Sequence, residues 1–193
     1  MTPSVEELEI LVVQNRRAWR AWLKKNHARR EGVRLVVHKK NYGKSKLTYD
    51  DVVEEALCFG WIDSRLNVLD DERFTLRISP RKPNSVWAKS NKQRVQKLVR
   101  QGLMMPAGIA KVQAAKRDGS WGKLDAVEAL RIPTDLRTAM AANRRAQRNF
   151  AGFSNSAKKM ILWWITSAKR PETRAKRIAE TVALAAKNKK VGG

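Results

Sequence analysis

The sequence predicts an α+β fold: a small antiparallel sheet with two helices in the N-terminal half, followed by a mainly helical C-terminal half. Three observations predict it. Apolar residues alternate on two adjacent stretches, Ile62, Leu66 and Val68 and then Phe74, Leu76 and Ile78, with the acidic cluster Asp70-Asp71-Glu72 between them, as in a hairpin of half-buried strands. Upstream, Trp19, Trp22 and Leu23 recur at helical spacing, as do Val52, Val53, Ala56 and Leu57, so two amphipathic helices precede the hairpin. Beyond Pro83 the apolar period is helical throughout.

Taken in order, Glu7 to Val13 reads as a first strand or the first turns of a helix, and the β-branched Ile10, Val12 and Val13 favour the strand. A helix follows over about Asn15 to Arg29, with Arg16, Arg20, Lys24 and Lys25 facing outward. Val33, Leu35 and Val37 alternate as a strand that ends at Lys39-Lys40 and a polar loop from Asn41 to Lys46. Thr48, three residues before Asp51, is an N-cap for a helix over Tyr49 to Phe59, and Gly60 is its stop. In the hairpin, pairing Leu66 with Leu76 and Val68 with Phe74 needs an odd loop such as Leu69 to Arg73, because a one-residue slip turns one apolar set outward. The α+β unit is expected to span residues 1–83. Residues 84–193 form a helical, strongly basic region packed on it or continuous with it.

Within that region Ser85 or Asn91 caps a helix that reaches Gln101 and stops at Gly102, and Pro106 opens another to about Arg117, stopped by Asp118-Gly119. Trp121 packs in the following loop. Pro133 to Asn143 is a short helix, and Ser154 or Ser156 caps one that carries Met160, Ile161, Trp164 and Ile165. Pro171 separates it from a last helix with Ile178, Val182 and Ala186 on one face, and Lys187 to Gly193 read as a frayed tail.

The net charge is +23 over 193 residues, which predicts anionic partners: a small anion, an acidic protein, nucleic acid or an acidic surface. The excess is C-terminal. Residues 1–83 hold 17 Lys+Arg against 12 Asp+Glu, whereas residues 84–193 hold 24 against 6. The single cysteine, Cys58, excludes an internal disulfide and lies in an apolar helix end, as a packed thiol does. With only His27 and His38 beside it, no conventional zinc site is supplied, and neither a metal nor a cofactor is expected. The N-terminal sequence has no signal-peptide pattern and the longest apolar run, Met160 to Ile165, is too short to span a bilayer, so the protein is expected in the cytoplasm. No pattern sets an oligomeric state.

The paired acids Asp50-Asp51, Glu54-Glu55 and Asp70-Asp71-Glu72 read as a cap, a solvated helix face and a hairpin loop. No phosphate-cradling glycine loop, serine elbow or metal-ligand spacing is present, so the sequence favours a binding protein over an enzyme. The basic residues are the better lead. The hairpin register puts Asp63, Arg65 and Asn67 beside Thr75, Arg77 and Ser79, with Arg73 and Arg81 at the same parity. Arg65 then faces Arg77, and like charges directly opposite destabilise a sheet, so either Asp63 or a bound anion must neutralise them. Lys82, Lys89, Lys92 and Arg94 follow, with Trp87 as a flank, so an anion site of Asp63, Arg65, Arg73, Arg77, Arg81, Lys82, Trp87, Lys92 and Arg94 is one reading. A solvated positive face with Trp87 in the core is the plainer one. An alternative site for nucleic acid is the start of the last helix, where Thr173, Lys176 and Arg177 are expected to be exposed after a helix-turn-helix-like turn.

The run EEALCFGWIDS, then DDERFTLRISPRKPNSVWAKSNKQRV and LVRQGLMMPAG, together with SAKRPETRAKRIAETV near the C-terminus, resembles the bacteriocin-protection family, also called YdeI or OmpD-associated. The resemblance covers nearly the whole chain. It implies a small bacterial protein linked to tolerance of bacteriocins, cationic peptides and envelope stress, and it implies no catalytic residues.

Overall fold

The computed structural model describes residues 8–39 and 47–191; Glu7 of the expected first strand and the expected loop Asn41 to Lys46 lie outside them. The chain divides into two compact units, Met1–Gly122 and Lys123–Gly193.

The first unit runs β1 (Ile10–Leu11), α1 (Arg16–Asn26), β2 (Val33–His38), α2 (Tyr49–Cys58), β3 (Trp61–Val68), β4 (Arg73–Pro80), α3 (Lys89–Arg100) and α4 (Pro106–Arg117). The sheet order is β1-β2-β4-β3. Strands β2, β4 and β3 are antiparallel neighbours as expected, and the two-residue β1 adds a parallel edge beside β2. The hairpin register is the expected one at its tip, with Leu66 opposite Leu76 and Val68 opposite Phe74. Below it a bulge between Asp63 and Leu66 shifts the pairing, so Ile62 lies opposite Ser79 and Asp63 opposite Ile78. Period-2 extrapolation fails there because a bulge inserts a residue and reverses the alternation. The apolar face also ends before the edge strand does. Leu76 and Ile78 are buried, but Leu66 is 50 % and Val68 66 % exposed.

Val33, Leu35, Val37, Leu76 and Ile78 from the sheet form one buried cluster with Trp19 and Leu23 of α1 and Val52, Val53, Ala56 and Leu57 of α2. Thr48 starts α2 with a reciprocal cap: its hydroxyl accepts from Asp51 N–H at 3.1 Å, and Asp51 accepts from Thr48 N–H at 3.0 Å. Glu54 and Glu55 are not the solvated face that their charge suggests; both are buried. Arg16 Nε and Arg20 Nη1 each donate to Glu55 at 2.6 Å, and Lys97 Nζ donates to Glu54 at 2.7 Å. Charges are buried at this cost only when paired and hydrogen-bonded.

The boundary predicted at Pro83 does not part the units, because α3 and α4 send Val95, Leu98 and Ala115 into the sheet's core. Gly108 permits this packing: a Cβ there would stand 2.3 Å from the Cys58 carbonyl oxygen, while Met105 N–H donates to that oxygen at 3.0 Å. Cys58 is buried and free, as expected, and burial pushes its thiol up to about 11.

The second unit is α5 (Asp125–Glu128), α6 (Thr134–Ala141), α7 (Arg144–Ala151), α8 (Asn155–Thr166) and α9 (Pro171–Ala186). Its core includes Leu136, Met140, Phe150, Ile161, Leu162, Ile165 and Ala185. Helix α7 is not in the sequence prediction. Asn143, expected to end the preceding helix, instead caps α7 by accepting from Ala146 N–H at 3.0 Å. The tail is ordered further than expected, since Asn188 adopts a left-handed turn at φ 56° and Val191 is buried in the core. No helix among the described residues is long and apolar enough to cross a membrane.

Candidate functional site: an arginine cleft in the sheet-bearing unit

The site begins where α2 ends. Gly60 at φ 78° turns the chain into β3, a conformation that L side chains seldom adopt. Its carbonyl then accepts from Arg81 N–H at 3.0 Å, which fixes the chain just beyond β4. The loop from Arg81 to Trp87 is held by Ser85, whose hydroxyl donates to the Lys82 carbonyl at 2.7 Å.

Arg81 is 4 % exposed. Its guanidinium carbon lies 3.5 Å from the centroid of the Trp87 ring, and Trp87 is itself buried and 4.9 Å, centroid to centroid, from Trp121. One guanidinium nitrogen donates to the Val86 carbonyl at 3.3 Å, while Nε is buried without a partner. Arg81 makes no ion pair with a carboxylate among the described residues. Burial pushes its guanidinium down to about 10, against the opposing pull of the Asp63 charge.

Beside it opens a cleft of about 440 Å³, within the range of small-ligand pockets. Arg77, Arg81, Lys82 and Lys111 line it together with Arg29, Arg30 and one acid, Glu31; Phe59, Trp61, Pro80 and Pro83 supply apolar wall. Arg29 is engaged with Glu9 at 2.8 Å. The like-charged partner of Arg77 across the sheet is Arg34 of β2 rather than Arg65, which sits exposed at the bulge. Arg34 Nε is also buried without a partner. The end of the sheet therefore concentrates cations, of which Arg77 and Arg81 make no ion pair with a carboxylate among the described residues.

Of the expected anion-site residues, the fold brings Arg77, Arg81 and Lys82 to one cleft, with Trp87 behind Arg81. The others go elsewhere. Asp63 accepts from the Tyr49 hydroxyl at 2.7 Å, Arg73 pairs with Asp70 at the hairpin turn at 2.7 Å, and Arg94 pairs with Asp50 at 2.6 Å. Lys92 Nζ lies 5.5 Å from the Trp121 ring centroid. Arg29, Arg30 and Lys111 are additions that the sequence does not signal, because they come from segments distant along the chain.

The expected nucleic-acid contacts at α9 are not all free. Lys176 is exposed and Thr173 half-buried, but Arg177 donates to the Trp164 carbonyl and to Ser167 Oγ at 3.3 Å, and its guanidinium packs over the Trp164 ring. It caps the C-terminal end of α8, where a cation complements the helix dipole. Among the described residues no cluster of His, Cys, Asp and Glu could hold a metal ion.

Neither a curated protein nor a solved structure gives a match to the chain. Two families do match: residues 11–111, just over half the chain, match the family described as Domain of unknown function (DUF8412), and residues 129–188 match the one described as Bacteriocin-protection, YdeI or OmpD-Associated. The arginine cleft lies mainly within the first matched segment and α6 to α9 within the second; by the first match the chain belongs to the DUF8412 family, and its segment 129–188 is similar to the bacteriocin-protection, YdeI or OmpD-associated family.

Proposed function

We propose that this is a non-enzymatic cytoplasmic binding protein that captures an anionic ligand in the Arg81 cleft, and that this capture serves a stress-protection role of the bacteriocin-protection kind. The observation that carries the reading is Arg81, buried without a carboxylate partner on the wall of a basic cleft. An anion there meets a desolvated guanidinium whose ring-facing side is already fixed by Trp87, with Arg77, Lys82 and Lys111 to share the charge. The ligand class is a small phosphate or carboxylate, or the acidic side chain of a partner protein. Calorimetric titration with phosphate, nucleotides and an acidic peptide tests it. Arg81→Met and Arg77→Ala are expected to weaken binding by about tenfold or more, the loss of a charge-assisted contact worth about 1.5–3 kcal/mol. Binding unchanged in both variants, or no saturable binding at all, refutes the site. Turnover of phosphoester, glycoside or acyl substrates that disappears in folded Arg81→Met refutes the non-enzymatic reading.

A second reading, nucleic-acid binding, is favoured by α7, where Arg144, Arg145 and Arg148 are exposed and make no ion pair among the described residues. Residues 123–193 carry 16 Lys+Arg against 5 Asp+Glu, net +11. Binding through phosphates falls with salt, with log K dropping by about 0.9 per phosphate neutralised on duplex DNA. A salt titration with oligonucleotides separates this from a one-site small-anion equilibrium.

A further inference from the structure

The helical unit contains a cavity of about 350 Å³ within its own helices. Its wall is Leu130, Ile132, Met140, Phe150 and Leu162. Leu130 is held there against its backbone preference. Helix α5 ends in a turn where Leu130 N–H bonds the Val127 carbonyl at 3.0 Å and Arg131 N–H bonds the Ala126 carbonyl at 2.8 Å, with Leu130 at φ 52°. Glycine is the residue this left-handed position favours. The side chain that glycine would lack packs against the core and completes the cavity wall.

Two cations sit at the same cavity. Arg137 donates to the Ile132 carbonyl at 3.3 Å and Lys158 donates to the Ala151 carbonyl at 2.7 Å, and both carbonyls belong to lining residues. Each bond orients a charged head while using one of the five donors of a guanidinium or one of the three of an ammonium. No acidic residue lines the cavity. The wall is apolar, so it offers water few partners and favours an apolar occupant; the two cations favour a negative head on it.

We propose that this cavity binds an amphiphilic anion, a medium-chain alkyl carboxylate whose chain lies along Leu130, Met140, Phe150 and Leu162 and whose head meets Arg137 and Lys158. A peptide fits less well. It would bring backbone N–H and C=O groups against a wall where Gln147 is the remaining polar side chain.

The test is calorimetric titration of the full chain with decanoate, below the concentration at which it aggregates, and with decan-1-ol as the uncharged counterpart. The expected result is one site per chain with decanoate bound at least tenfold more tightly than decan-1-ol. Arg137→Ala and Lys158→Ala each weaken decanoate about tenfold, the loss of one charge-assisted contact, and leave decan-1-ol unchanged. Ala151→Phe fills the mouth from an exposed helix end and abolishes both. Arg117→Ala, an exposed charge in the other unit, has no effect, and thermal melts establish that each variant is folded. Equal affinity for decanoate and decan-1-ol, decanoate binding that survives in folded Ala151→Phe, or the absence of a saturable site overturns the proposal. So does tighter binding of a peptide with an apolar C-terminus than of decanoate.

Discussion

Replacing Arg81 by methionine separates a ligand-binding arginine from a structural one. Burial lowers the Arg81 guanidinium from its ordinary value to about 10, which at about 1.4 kcal/mol per unit is about 3 kcal/mol against the charged form. Because the folded value lies below the unfolded one, this cost is present in full at neutral pH and is relieved only as pH rises above about 10 toward the unfolded value. Two contacts oppose it. Stacking on Trp87 at 3.5 Å contributes about 2 kcal/mol in a desolvated site, and the 3.3 Å bond to the Val86 carbonyl is long enough to add only about 1 kcal/mol. The terms nearly cancel, so Arg81→Met in ligand-free protein should unfold within about 1 kcal/mol of wild type in urea, a shift of about 4 °C or less in melting temperature. Phosphate should then stabilise wild type and not the variant. At a hundred times its Kd the gain is about 2.7 kcal/mol, or roughly 10 °C. If Arg81→Met loses 3 kcal/mol or more without ligand and phosphate leaves the wild-type melt unmoved, the arginine is structural and the cleft is not an anion site.

Arg20 is expected to behave in the opposite way. It shares the buried Glu55 carboxylate with Arg16, so Arg20→Ala should lower urea stability by about 3 kcal/mol through the charge left under-compensated; a loss below about 1 kcal/mol would refute the pairing. Arg73→Ala, at an exposed hairpin pair with Asp70, should melt with wild type. Gly108→Ala would put a methyl group 2.3 Å from the Cys58 carbonyl oxygen, and since backbone cannot yield cheaply, at least about 2 kcal/mol of stability should be lost in urea titration. Burial raises the Asp51 carboxyl, but the Thr48 backbone and hydroxyl groups and Arg16 outweigh it and hold it below the usual value of 3.8. Its stabilisation is therefore present above that value and lost as pH falls through the folded one. Asp51→Asn should flatten the acid limb of the stability curve below about pH 4, and an unchanged limb would refute that role.

Local sequence determined what local forces decide. Thr48 with Asp51 specified a reciprocal helix cap, Gly60 and Pro106 marked a helix end and a helix start, and the parity of Leu66, Val68, Phe74 and Leu76 fixed the hairpin tip. Each of these rests on groups a few residues apart or on a two-residue period. The candidate site was legible only in part. Arg77, Arg81 and Lys82 were visible as a basic run on one strand and its end, yet which of them lose water could not be read from that run. Tertiary structure decided that Arg65 leaves the row, because the bulge re-aims it, and that Arg73 and Arg94 are taken by acids. It also decided that Glu54 and Glu55 are buried, since α1 and α3 bring Arg16, Arg20 and Lys97 to them from 35 to 43 residues away in the chain. A charge's partners and its desolvation depend on which distant segments pack against it, and sequence spacing carries no record of that packing.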